Sequence, residues 1–151
     1  MRLFSLPFLL LAIVFGVVLI AAVDHTGPGK PDTREAHEVA TEVVRGLSPR
    51  PEWLRVDVET AEPSAYAFDL IYKQPPRGEE AGARADATMI VESCLKALIA
   101  RGHRPATENI AVQVSVRQEG LAGVTGEPLV RVFGLASYNY VLDRIDYDPA
   151  S

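Results

Sequence analysis

Residues that usually carry chemistry are scarce in this chain. Cys94 is its only cysteine, so no disulfide can form within the chain and the fold must rest on its core. His25, His37 and His103 are scattered, with no His-x-x-x-His pair, no second cysteine and no calcium-type loop. Asp143, Asp146 and Asp148 crowd together in "DRIDYD", but that run lacks the glycine and terminal glutamate of a calcium loop and reads as a solvated acidic end. The sequence therefore points to no metal and no cofactor. Bases are few as well: 15 Lys and Arg stand against 20 Asp and Glu, a net charge of -5 that argues against a nonspecific hold on nucleic acid or on an anionic surface.

Catalytic motifs are equally thin. No serine occupies a Gly-x-Ser-x-Gly elbow, and the glycine-rich run "GLAGVTG" is followed by neither Gly-Lys-Ser/Thr nor a helix start, so it reads as a hairpin loop. Ser93 and Lys96 have Ser-x-x-Lys spacing, but no Lys-Thr-Gly or Ser-Asp-Asn element accompanies them. Glu59, Glu62, Glu79, Glu80 and Glu108 supply carboxylates in number, none singled out by an apolar setting as a catalytic acid would be.

What the chain has instead is one long uncharged run. Leu3 to Val23 reads "LFSLPFLLLAIVFGVVLIAAV", in which Ser5 is the only clearly polar side chain. As a helix, 21 residues span roughly 30 Å, the thickness of a bilayer's hydrocarbon core. Residues 1–23 are expected to be a signal anchor or a signal peptide. A retained anchor is favoured because the run is long for a signal core and because Val23 and Ile20 spoil the small-residue pattern that cleavage after Ala22 would want. Both readings place the remainder outside the cytoplasmic membrane, held through residues 3–23 in the first and secreted or periplasmic in the second.

Residues 24–32, "DHTGPGKPD", form a spacer rich in glycine and proline. An extracytoplasmic domain is expected over 33–148. Ala36, Val39, Ala40, Val43, Val44 and Leu47 recur at helical spacing, capped by Asp32 or Thr33 and stopped by "LSPRP". Strands follow in "WLRVDVET", with Leu54, Val56 and Val58 inward, and in "AYAFDLIYK", with Tyr66, Phe68, Leu70 and Tyr72 inward, joined as an antiparallel hairpin. A second helix is predicted from about Ala83 to Arg101, its apolar side made of Ala87, Ile90, Val91, Cys94, Leu95, Leu98 and Ile99. "NIAVQVSVRQ" and "LVRVFGLASYNYVL" are two more strands, and Ile145 with Tyr147 can add a short edge segment. The order αββαββ predicts a two-layer α+β domain: a mainly antiparallel four- or five-stranded sheet with two helices on one face, preceded by the N-terminal hydrophobic helix.

Cys94 and His103 invite a nucleophile-and-base reading, but the periodicity opposes it. Nine helical residues separate them by roughly 13 Å and half a turn, and Cys94 falls among Ile90, Val91, Leu95 and Leu98, where a thiolate is disfavoured. Cys94 reads as a small core side chain, and Arg101, Gly102 and His103 read as the end of the helix. The last long strand is the feature a single core does not explain. Phe133 shares parity with Leu129, Arg131 and Leu135 while Val130 and Val132 fill the other face, so this strand is apolar on both sides. A partner chain, the membrane-proximal region or the final segment is expected to cover it, and Phe133, Leu135, Tyr138 and Tyr140 are the candidate binding residues.

The sequence thus favours a noncatalytic, membrane-tethered extracytoplasmic domain that makes protein contacts in the cell envelope, with a protein partner or a second copy of itself. The alternatives are a domain that captures a small apolar ligand beneath Tyr66, Phe68 and Ile90, and a small hydrolase whose site follows no motif.

Overall fold

The computed structural model describes residues 29–151. The run Leu3–Val23, and with it the anchor and signal readings and the expected N-terminal helix, lies outside the described residues. Among the described residues no helix is long and apolar enough to cross a membrane.

Helix α1 (Thr33–Gly46) begins where the side chain of Asp32 accepts the backbone N–H of Glu35 at 2.8 Å, satisfying one of the helix's orphan donors. Its buried stripe is Ala36, Val39, Ala40 and Val43. Proline at positions 49 and 51 prevents the helix from continuing. Strand β1 (Trp53–Glu62) and strand β2 (Ala65–Tyr72) form the expected antiparallel hairpin. Helix α2 (Glu80–Ala100) leads to a second antiparallel hairpin, β3 (Ala111–Ala122) and β4 (Pro128–Asn139), and β5 (Arg144–Pro149) adds the short final strand.

The five strands lie in the order β1-β2-β3-β4-β5. Three of the four pairings are antiparallel, but β2 and β3 pair in parallel, from Ala65↔Ala111 to Tyr72↔Gln118, so the sheet is mixed. Both helices cover the same face and share one core with Tyr66, Phe68, Leu70, Val112, Val114 and Val116. Because β3 runs with β2, the second hairpin is inverted relative to the first. With both helices on one face, no rotation superposes the two αββ units, and their likeness is one of pattern alone.

Two sequence expectations shift by one residue. Trp53, not Leu54, is inward: the β1–β2 register slips between Trp53 and Arg55, which returns Trp53 to the core at 7 % exposure and leaves Leu54 at 47 %. On α2, Ile99 is 59 % exposed and Asp86 is buried in the stripe that runs Ala83, Asp86, Ala87, Ile90, Val91, Cys94, Leu98. Tyr66, Phe68, Leu70, Ile90 and Leu98 are each almost wholly buried, worth about 1.5–3 kcal/mol apiece for the side chain removed from water.

Over the end of β2 the face away from the helices is covered by charged side chains. Arg55 of β1 and Arg117 of β3 both reach Glu119, at 3.4 and 3.3 Å, and a pair that bridges β1 to β3 must pass over β2. Beneath it lies Ile71, cross-strand neighbour of both arginines and fully buried although it belongs to the opposite face from the core. Ser115 donates a hydrogen bond to Asp69 on the same face.

At Gly134 the backbone of β5 and the ring of Tyr147 come so close that a Cβ would lie 2.5 Å from the carbonyl oxygen of Asp148 and 2.6 Å from the Tyr147 hydroxyl. The site also has φ +158 and adjoins the register shift after Val116. Gly134→Ala should lower stability by about 2 kcal/mol through this overlap, read as a lower urea midpoint with an unchanged slope. An unchanged midpoint would show that β5 does not hold its place against β4.

Candidate functional site

The four residues singled out by sequence do not form one patch. Phe133 is inward and 5 % exposed, its ring edge-on to Tyr72 at 6.2 Å and covered by the guanidinium of Arg131 at 4.7 Å. Tyr138 is 7 % exposed; its hydroxyl donates to Asp143 at 2.6 Å, and burial together with that bond pushes its pKa up to about 12. Leu135 is half-buried on the other face opposite Asp148, and Tyr140 lies in the turn between β4 and β5. Strand β5 supplies the intramolecular cover, but only over Gly134 to Asn139.

The uncovered part of β4 is its first half. Strand β2 ends its pairing opposite Gln118 and β5 ends opposite Gly134, so residues 119–122 and 128–130 project past the sheet as a two-stranded arm, and Arg131 and Val132 form an uncovered edge at its base. The arm closes through "GVTG", where the N–H of Gly123 donates to the carbonyl of Glu127 at 2.8 Å. Its apolar side chains are open: Leu129 is 44 %, Val130 56 % and Val132 55 % exposed, and Val124 at the tip is fully so. Val132 pairs with Arg117 and so lies on the sheet face away from the helices; Val130 shares its parity. Among the described residues no strand pairs with the outer edge of this arm, and backbone donors and acceptors there have no sheet partner. Edge strand β1, by contrast, carries Arg55, Asp57, Glu59 and Glu62 along its length, charges of the kind that discourage strand addition.

Two polar clusters fasten the ends of α2. Near its start, Asp86 is 3 % exposed. Its Oδ2 accepts from the Trp53 indole at 3.1 Å and from the Tyr72 hydroxyl at 2.5 Å. The Arg50 guanidinium stands 3.0 Å from Oδ1 as a charge contact rather than an aligned hydrogen bond. Burial and the Asp86 carboxylate push the Tyr72 hydroxyl pKa far up, so it remains a proton donor. Arg50, Glu52, Tyr72, Arg77 and Asp86 line a hollow of about 260 Å³. The sequence reading missed Asp86, although its place among Ala83, Ala87 and Ile90 at helical spacing was the signal that could have found it.

Past the other end, α2 stops as expected. Gly102 takes φ +88, its N–H bonds to the Ile99 carbonyl at 2.9 Å, and the N–H of His103 reaches back to Leu98 at 3.1 Å. The His103 ring does more than meet the helix end. It is buried, with Nδ1 3.0 Å from Glu108 and Nε2 3.0 Å from Glu35 at the start of α1. Burial works against a charge on this imidazole, but hydrogen bonds and attraction from Glu35 and Glu108 outweigh it and hold its pKa above the usual value. Arg101 ties the same two helices through Glu38 and Glu42.

Cys94 is fully buried and burial pushes its thiol up to about 12, which leaves it a core side chain at neutral pH. Ser93 donates to the Met89 carbonyl at 2.8 Å, a bond within its own helix. Tyr66, Phe68 and Ile90, beneath which an apolar ligand would sit, are themselves core residues. Among the described residues no group of His, Cys, Asp and Glu could hold a metal ion. No protein-family model, curated protein or solved structure matches this chain.

Asp86→Ala should cost about 3 kcal/mol or more, because it strands the Trp53 and Tyr72 donors as well as removing the carboxylate. The loss should show as a fall in urea midpoint; a change within about 0.5 kcal/mol, the range of ordinary surface substitutions, would mean that the cluster is not structural.

For His103 the sign follows from the raised folded-state pKa. Its contribution is fully present below the unfolded value of about 6.5 and is lost as pH rises through the folded value. Unfolding followed from about pH 6 to about pH 8.5 should show stability falling with pH, and His103→Gln should flatten that part of the profile. A profile unchanged by His103→Gln would show that the ring does not titrate in this window.

Proposed function

We propose that the chain is a noncatalytic domain, tethered outside the cytoplasmic membrane by its apolar N-terminal run, that works through protein contacts made by the β3–β4 arm. The observation that carries this reading is the arm itself: Leu129, Val130 and Val132 are open to solvent on a strand whose outer edge is unpaired. A projecting hairpin with no sheet neighbour is marginal alone, and one that displays three branched or long apolar residues gains by adding a strand from a partner. Main-chain bonds would supply the hold, and Val130 and Val132 would supply the apolar contact. The same edge can meet a second copy of itself antiparallel, since a two-fold contact uses one patch twice.

The test is site-specific photo-cross-linking of the full chain in its native membrane. A cross-linker in place of Val130 should yield a discrete adduct, and one in place of Gln113, exposed on the same face but within the sheet, should not. Val130→Lys with Val132→Lys should abolish partner capture by a cross-linker at position 124, while shifting the unfolding midpoint by no more than about 0.5 kcal/mol. Equal adducts at 113 and 130, or catalytic turnover lost on a single side-chain change in a folded protein, would overturn the reading.

A further inference from the structure

The chain enters the domain at one identifiable end. Glu35, in the first turn of α1, meets His103 just past the end of α2. That loop leads to Ala111, whose N–H bonds to Ser64 in the β1–β2 turn, and Val112 next to it pairs with Tyr138. Tyr138 in turn holds Asp143. The N-terminus of α1, the β1–β2 turn and the β4–β5 turn therefore share one end of the sheet, and the arm lies at the other.

At that end the β4–β5 turn presents Tyr140, Val141 and Leu142, which are 36 %, 79 % and 56 % exposed. The turn is built rather than loose. Asn139 Oδ1 accepts the N–H groups of both Val141 and Leu142 at 3.1 Å, Asp143 takes φ +48, and its carboxylate is held by Tyr138. Val141 and Leu142 remain more than half exposed on a backbone that these bonds hold in place.

We infer that this turn is a second membrane contact, with Val141 and Leu142 dipping into the bilayer interface and Tyr140 at headgroup level. The inference rests on the tethered reading above. Residues 24–32 separate the apolar run from α1, a reach of at most about 30 Å, so the entry end of the domain stays beside the lipid surface. Two aliphatic side chains would hold a free protein weakly, but the tether makes the contact intramolecular and raises its effective concentration. An aromatic ring beside apolar residues suits the interface. The acidic charge of the chain argues that this hold is apolar, not electrostatic, so neutral lipid suffices. Seating the turn would aim the β3–β4 arm away from the membrane, where a partner could reach it.

The experiment uses the full chain in discs of neutral phosphatidylcholine, with Val141→Cys carrying an environment-sensitive fluorophore. Cys94 is buried, and wild-type protein treated alike measures its background. Lipids brominated high on the acyl chain should quench the label at 141 several-fold more than one at Val124→Cys on the arm tip. Leu142→Asp should remove most of that quenching while the chain stays in the disc and Trp53 fluorescence reports an unchanged fold. Release of the chain from the disc would sink the tether, and this contact with it. Retention with equal or no quenching at 141 and 124 would leave the tether standing and overturn the inference, the result also expected if the turn docks on protein.

Discussion

Parallel pairing of β2 and β3 cannot be made by a tight turn, because the chain leaving Tyr72 must return to the far end of the sheet before Ala111 can lie beside Ala65. Helix α2 makes that return. Its 21 residues span roughly 31 Å, enough to cover the roughly 26 Å of an eight-residue strand and leave room for the turns at each end. The crossover dictates that α2 lies on the sheet with one stripe down, and so which residues become core. It also explains why the two buried polar clusters stand where they do. Asp86 meets the end of β2 and the start of β1, where the crossover leaves the sheet; His103 meets α1, where it comes back.

Those clusters differ in kind. Asp86 brings a charge into the core and is held by two neutral donors and one half-exposed arginine, so it specifies position more than it adds stability. His103 stabilises through its own protonation, since both ring nitrogens face carboxylates and only the cation can donate to both. One fixes α2 against the sheet through the Trp53 and Tyr72 donors. The other makes the joint between α1 and α2, next to the chain's entry point, the part of the fold whose strength follows pH.

Local pattern carried much of this architecture. Period-two alternation marks β2 and β3, the Asp32 cap opens α1, and Gly102 closes α2 where the sequence places it. The rest depended on contacts between distant residues. Nothing in "AYAFDLIYK" or "NIAVQVSVRQ" says that the two strands run the same way. Alternation carried back from Val56 puts Leu54 inward, across a register slip that only the pairing with β2 reveals. His103 was legible as a helix terminator, but its ring partner Glu35 is 68 residues away. Asp86 stands at a spacing that puts it on the stripe, but a carboxylate does not count toward an apolar pattern.

The doubly apolar strand is where alternation alone misplaces the faces. Phe133 and Val132 looked like two faces of one uniform strand. A bulge opposite Val116 and Arg117 turns Phe133 into the core, and it does so at the point where β5 stops. Before that point β4 has no cover on its outer edge, and after it the strand is interior. The apolar side chains left open on β4 are thus Leu129, Val130 and Val132, upstream of those the sequence favoured. A strand of 12 residues is roughly 40 Å long. That length puts the open arm and the Tyr140–Leu142 turn at opposite ends of the same β4, so the two exposed apolar surfaces are held apart by a paired strand.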